Sequence, residues 1–181
     1  MEEQTYAAVI YLEGPLARLV DGLRAELDPQ YAGKAAHVTV LPPRALVISE
    51  EVAAEEARAQ CAGWEPLALE FSAVGTFFPV NGVVYIEISR GGEELKRLHV
   101  ALNQGLLARQ EPFCYLPHIT ISQDMDEART CEVLARVSKD WAAYTGPRGM
   151  LVETLVFVRQ SPSGDWVDLA HLQLGPARVQ A

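Results

Sequence analysis

The amino-acid sequence predicts an α+β fold of two pseudo-symmetric lobes facing each other across a central cleft. Three observations carry that expectation. The order strand, helix, strand, helix, strand runs once over about residues 6–78 and again over about 83–158, as an internal duplication would leave it. The third element of each half carries the same pattern, His-x-Thr-x: His37-Val38-Thr39-Val40 and His118-Ile119-Thr120-Ile121. No interior stretch is rich enough in Gly, Pro or Ser to separate independent domains. Residues 1–175 are therefore expected to form a single bilobal domain, followed by a frayed tail over 176–181.

Taken in order, Tyr6 to Leu12 is a β-rich apolar run, read as a buried strand. Pro15 opens a helix whose apolar face is Leu16, Leu19, Val20, Leu23 and Leu27. Asp28-Pro29 ends it. After a loop with Gly33 comes the first His-x-Thr-x strand, stopped by Pro42-Pro43. Ser49 caps a helix that opens on Glu50 and Glu51 and runs to about Cys61, with the Glu-rich run Glu50 to Glu56 as a solvated face. Leu67 to Phe78 and Val83 to Ile88 are strands, and Asn81-Gly82 between them is a hairpin signal. Gly91-Gly92 precedes a helix with Leu95, Leu98, His99, Leu102 and Leu106 on one face. Beyond Pro117 lies the second motif strand. Asp124 stands three residues before Glu127 as a capping box for a helix to about Lys139. Leu151 to Val158 is one strand, Pro162 to Asp165 a turn, and Trp166 to Leu174 the last strand.

Composition excludes several function classes. The net charge of −9 speaks against a protein that grips long nucleic acid, because phosphate neutralisation supplies most of that affinity. The N-terminal MEEQTYAAVIYLEG has no basic n-region, and no run reaches the length of a membrane span. The three cysteines, Cys61, Cys114 and Cys131, show no CxxC spacing, so packed, reduced thiols of a cytoplasmic protein are expected. No phosphate-binding glycine loop, Gly-x-Ser-x-Gly elbow or dinucleotide fingerprint occurs.

The chemistry resides in the repeated motif. Residues i and i+2 of a strand share a face, so His37 pairs with Thr39 and His118 with Thr120, while Val38, Val40, Ile119 and Ile121 point to the core. Two imidazoles flanking a phosphate supply one base and one acid near neutral pH. The threonine hydroxyls donate to non-bridging oxygens. The arrangement requires no metal and no cofactor. A single His-x-Thr-x is weak evidence. Two copies in matching halves, using two of four histidines, are specific.

These motifs, their separation of 81 residues from 37 to 118, Pro117 before the second copy and the helix–strand order resemble the two-histidine (2H) phosphoesterase superfamily, over about Tyr6 to Leu174. That superfamily includes 2′-5′ RNA ligase-like proteins and RNA 2′,3′-cyclic phosphodiesterases. The resemblance implies two mostly antiparallel sheets flanked by helices. It also implies hydrolysis of 2′,3′-cyclic phosphates on nucleotides or RNA ends to 2′-phosphates, with 2′-5′ ligation as a side activity of some members. It leans to His37 as acid and His118 as base, which the residues alone leave open. The chain departs from the pattern after the second motif, where Ser122-Gln123-Asp124 replaces the basic residue of many RNA-acting members. Arg44, after the first motif, is the candidate phosphate contact instead.

Tyr115, Phe77 and Phe78 read first as cleft-wall or core packing, and Tyr115 is the candidate among them for stacking a nucleobase. Lys34, just before the first motif, could face phosphate, with a solvated loop lysine as the default reading. His99 and His171 read as satisfied core histidines rather than ligands. A cytoplasmic monomer is expected. Two alternatives stay open: a phosphoesterase for a small cyclic phosphate, such as an ADP-ribose derivative, and a non-catalytic binder of nucleotides or RNA ends.

Overall fold

The computed structural model describes residues 3–31, 33–162 and 164–175. The expected tail over 176–181 lies outside them. The elements are β1 (Gln4–Tyr11), α1 (Gly14–Leu27), β2 (His37–Leu46), α2 (Glu50–Cys61), β3 (Leu67–Thr76), β4 (Val84–Arg90), α3 (Gly92–Leu102), β5 (His118–Ser122), α4 (Glu127–Ala143), β6 (Gly149–Val152), β7 (Thr154–Gln160) and β8 (Trp166–Gln173). They build two four-stranded, wholly antiparallel sheets, ordered β2-β1-β7-β8 and β5-β4-β3-β6. The α+β fold of two sheets with helices is as the sequence predicts.

Each sheet places its motif strand at an edge, and the edges β2 and β5 meet. The helices cross over: α1 packs against β5 and α3 against β2, while α2 lies on β7 and β8 and α4 on β3 and β4. One continuous apolar core joins the sheets, with Val38, Val40 and Phe157 on one side and Ile86, Ile119 and Ile121 on the other. The sheets do not coincide with the sequence halves. β3 of the first half pairs with β4, and β7 returns from the end of the second half to pair with β1.

Several elements differ from expectation. Pro42-Pro43 does not stop β2, which runs on to Leu46. A register shift opposite Ala8 absorbs the pair, and an edge strand tolerates prolines that have no donor to offer. The β3–β4 hairpin forms, but it turns over Phe77 to Asn81 rather than at Asn81-Gly82. Gly82 serves a close approach instead: a Cβ there would run into the Met125 backbone. Asp126, not Asp124, caps α4, its carboxylate accepting from Arg129 N at 2.8 Å. Leu106 is exposed and Leu107 buried, because α3 gives way to a 3₁₀ turn over Gly105–Leu107 that rotates the face. The run expected as one strand from Leu151 splits at Glu153, so that β6 joins one sheet and β7 the other. Cys61 is buried as expected, whereas Cys114 and Cys131 are exposed. His171 is exposed, because the β7–β8 register shifts between Phe157 and Val158 and turns Ala170 and Leu172 inward in its place. No helix among the described residues is long and apolar enough to cross a membrane.

Candidate active site

The meeting edges of β2 and β5 form one wall of a cavity of about 710 Å³ whose lining includes His37, Thr39, His118 and Thr120 together. Alternation achieves this locally. Val38, Val40, Ile119 and Ile121 are fully buried on the core face, which forces the imidazole and hydroxyl of each motif to the opposite face. Cross-strand partners share a face. Tyr11 and Val9 of β1, opposite His37 and Thr39, share the face of the first pair, and Tyr85 of β4, opposite Thr120, shares that of the second.

The two histidines are held alike. Nδ1 of His37 lies 2.6 Å from the Ala35 carbonyl, and Nδ1 of His118 lies 2.6 Å from the Leu116 carbonyl, in each case two residues back. A carbonyl only accepts, so each Nδ1 carries its proton and each Nε2 presents a lone pair to the cavity. Nε2 of His118 receives the Thr120 hydroxyl at 3.1 Å. Nε2 of His37 faces the Tyr31 hydroxyl at 3.4 Å. Phe77 meets His118 edge-on at 5.1 Å and stacks on Tyr85, closing that side.

Burial acts on both imidazoles in the same direction. Burial pushes His37 down to about 4, with Arg24, Lys34 and His118 adding positive charge against its protonation and the Ala35 bond opposing. Burial also lowers His118, against its bond to Leu116. An imidazole held below its ordinary value is mostly neutral at pH 7, and both are held so.

Arg24 is a site-building residue that sequence reading missed. It is fully buried on α1. Its Nε and Nη2 donate to the Thr120 carbonyl at 3.0 and 2.7 Å, and its Nη1 donates to the carbonyls of Lys34 and Ala35 at 3.0 and 3.1 Å. One guanidinium thereby ties β5 to the segment that enters β2, and it lies 4.7 Å from the Tyr31 ring centroid. The available signal was an arginine four residues after Val20, on the apolar stripe of its helix. Tyr31 left no such signal, since only the folded loop brings it to His37.

Arg44, the expected phosphate contact, lines the cavity with its guanidinium engaged by protein partners. It is 1% exposed at the cavity wall, with Nε on the Pro42 carbonyl, Nη1 on Asn103 Oδ1 and the Leu107 carbonyl, and Nη2 on Glu111 at 2.6 Å. These partners commit its donors to shaping the loop that follows α3. Glu111 also reaches His99 Nε2 at 3.2 Å, and His99 Nδ1 bonds the Val40 carbonyl, so His99 is the satisfied core histidine expected. Tyr115 lines the cavity but is fixed as wall: it stacks on His99 at 4.1 Å and donates to the Thr39 carbonyl at 2.8 Å. Among the described residues no cluster of three or more His, Cys, Asp or Glu side chains could hold a metal ion.

Known proteins are similar to this chain in sequence and in fold. The family described as the 2′-5′ RNA ligase superfamily matches residues 12–163. A protein of Bacillus cytotoxicus named "Putative phosphoesterase" is 30% identical over 130 residues, covering 71% of this chain and 75% of the relative. Another of that name, from Bacillus cereus strain B4264, is 27% identical over 168 residues, covering 92% and 95%. The crystal structure of E. coli LigT complexed with 3′-AMP superposes with a TM-score of 0.68 at 18% identity, covering 97% of this chain and all of LigT. LigT complexed with ATP gives 0.65 at 19%, with the same coverage. With the motif strands, the two-sheet fold and a match across most of its length, the chain belongs to the 2′-5′ RNA ligase superfamily of two-histidine phosphoesterases.

Proposed function

We propose that this phosphoesterase is a cyclic phosphodiesterase that opens 2′,3′-cyclic phosphates of nucleotides or RNA ends to 2′-phosphates, with His37 and His118 as its acid–base pair. The observation that carries the reading is the matched pair of Nε2 lone pairs, each on a motif histidine fixed through Nδ1, in one cavity with both threonines. In the reaction one imidazole takes a proton from water as its oxygen bonds to phosphorus. The P–O3′ bond breaks, and the other imidazole, protonated, delivers its proton to O3′. Thr39 and Thr120 donate to the non-bridging oxygens as charge builds there.

Two imidazoles held below their ordinary values fit this cycle. A bound phosphate anion offsets the cations that oppose protonation of His37 and lets the pair take up one proton. Mutual repulsion between the imidazoles limits the uptake to one, leaving the other as base. His37 as acid and His118 as base is the assignment we adopt. A nucleotide-sized substrate is favoured over long RNA by the cavity volume and the net charge of −9. The nucleotide complexes of LigT agree with that size. A cytoplasmic, monomeric enzyme belongs to the same proposal.

The test is turnover of each 2′,3′-cyclic nucleoside monophosphate by the wild type and by His37→Ala and His118→Ala. Each substitution is expected to lower kcat by about 10³-fold or more while the protein stays folded. Near-normal turnover in either variant overturns the paired mechanism.

A further inference from the structure

If Arg24 and Arg44 are committed to protein partners and Ser122-Gln123-Asp124 brings no cation, the anionic substrate needs its counter-charge from elsewhere. Among the described residues, three cations line the cavity: Lys34, Arg44 and Arg109. Arg109 is exposed and belongs to the loop at the Arg44–Glu111 end. Lys34 stands three residues before His37, and its charge registers at that imidazole.

Lys34 is not the solvated loop lysine that its sequence context suggests. Its backbone is pinned at both ends, the N–H donating to the Tyr31 carbonyl at 3.2 Å and the carbonyl accepting from Arg24 at 3.0 Å. Its ammonium lies 5.3 Å from the Tyr31 ring centroid and 5.5 Å from that of Trp166, and all three residues line the cavity. Among the described residues it makes no salt bridge. Two aromatic faces hold a cation in place without neutralising it. A lysine so placed is ordered before the ligand arrives, which reduces the entropy lost on binding, and its three donors suit a phosphate as a point charge.

We propose that Lys34, presented between Tyr31 and Trp166, is the residue that binds the anionic phosphate oxygens of the substrate beside His37. The inference rests on the phosphoesterase reading of this cavity and names the cation that reading requires. It assigns Tyr31 two jobs, the stack under Lys34 and the hydroxyl at His37 Nε2. It also accounts for Trp166 at the start of β8, which brings a ring from the far edge of its sheet to the site.

The test uses the full chain with Lys34→Met, which keeps the packed stem between the rings and removes the charge, and Lys34→Arg, which restores a charge. Binding of inorganic phosphate and of adenosine 2′-monophosphate is measured by calorimetry and by tryptophan fluorescence, with thermal melts to establish folding. Lys34→Met is expected to weaken both ligands by about tenfold or more, the worth of one charge-assisted hydrogen bond, while Lys34→Arg stays within about threefold. In 2′,3′-cyclic AMP hydrolysis the Met variant is expected to raise KM more than it lowers kcat. Unchanged anion binding in Lys34→Met overturns the proposal, and so does an equal loss in both variants, which indicates shape rather than charge. If the wild type binds both anions in a Lys34-dependent way but turns over no cyclic phosphate, the cyclic phosphodiesterase reading fails and the assignment of Lys34 stands.

Discussion

Removing the guanidinium of Arg24 should damage the site from behind. In Arg24→Met the stem remains, but the carbonyls of Thr120, Lys34 and Ala35 lose four donated bonds at 2.7–3.1 Å. Leaving a buried carbonyl unpaired costs about 1–3 kcal/mol, so three give about 3–9 kcal/mol. Arg24 makes no salt bridge among the described residues, and burying its charge is itself unfavourable. Relief of that penalty offsets a few kcal/mol. The expected net loss is about 3 kcal/mol. Arg24→Lys should recover little of it, because one ammonium cannot span three carbonyls on two segments. The substitution has a second signature. Arg24 is the largest charge opposing protonation of His37, so its removal should raise the His37 pKa from about 4 toward the ordinary value. Urea unfolding gives the stability, and histidine side-chain NMR titration gives the pKa. A stability loss below about 1 kcal/mol together with an unmoved His37 titration would refute the role assigned to this residue.

The depressed pKa of His37 also predicts how stability follows pH. The folded value lies below the unfolded one, so the unfolded chain takes up the proton first, and stability present above about pH 6.5 is lost as pH falls toward 4. The shift corresponds to about 3 kcal/mol. Urea midpoints at pH 7.5 and pH 4 should show that loss in the wild type relative to His37→Gln, in which the carboxylate titrations are shared, and parallel pH dependence would contradict it. Thr39→Val and Thr120→Val keep the strand packing and should each lower kcat by about 10²-fold, with less effect on KM, as expected of donors to charge that builds in the transition state. Equal losses in KM alone would place both hydroxyls in ground-state binding.

What was legible in the sequence follows from which forces are local. Strand alternation around His37 and His118 is written in the Val and Ile residues between them, so the shared faces could be read directly. The amphipathic stripe of α1 and the Ser49 cap are local as well; Ser49 Oγ accepts from Val52 N. The errors occur where tertiary partners decide. Pro42-Pro43 reads as a strand stop only until β2 is known to be an edge. The split at Glu153 depends on two sheets competing for one apolar run. Arg44 looks free in sequence, because Asn103 and Glu111 lie about 60 residues away along the chain. Arg24, Tyr31 and Lys34 surround His37 only through the fold of the loop between α1 and β2, and no periodicity encodes that loop.

The proposed reaction, with two imidazoles in one cavity, opens a cyclic phosphate in a single direction. Its most direct test is phosphorus NMR of the product formed from 2′,3′-cyclic AMP by the wild type, in the presence of chelator. Adenosine 2′-monophosphate is expected as the sole product, at a rate that chelation leaves unchanged. A 3′-phosphate, an equal mixture of isomers, or activity that disappears with chelator would contradict it.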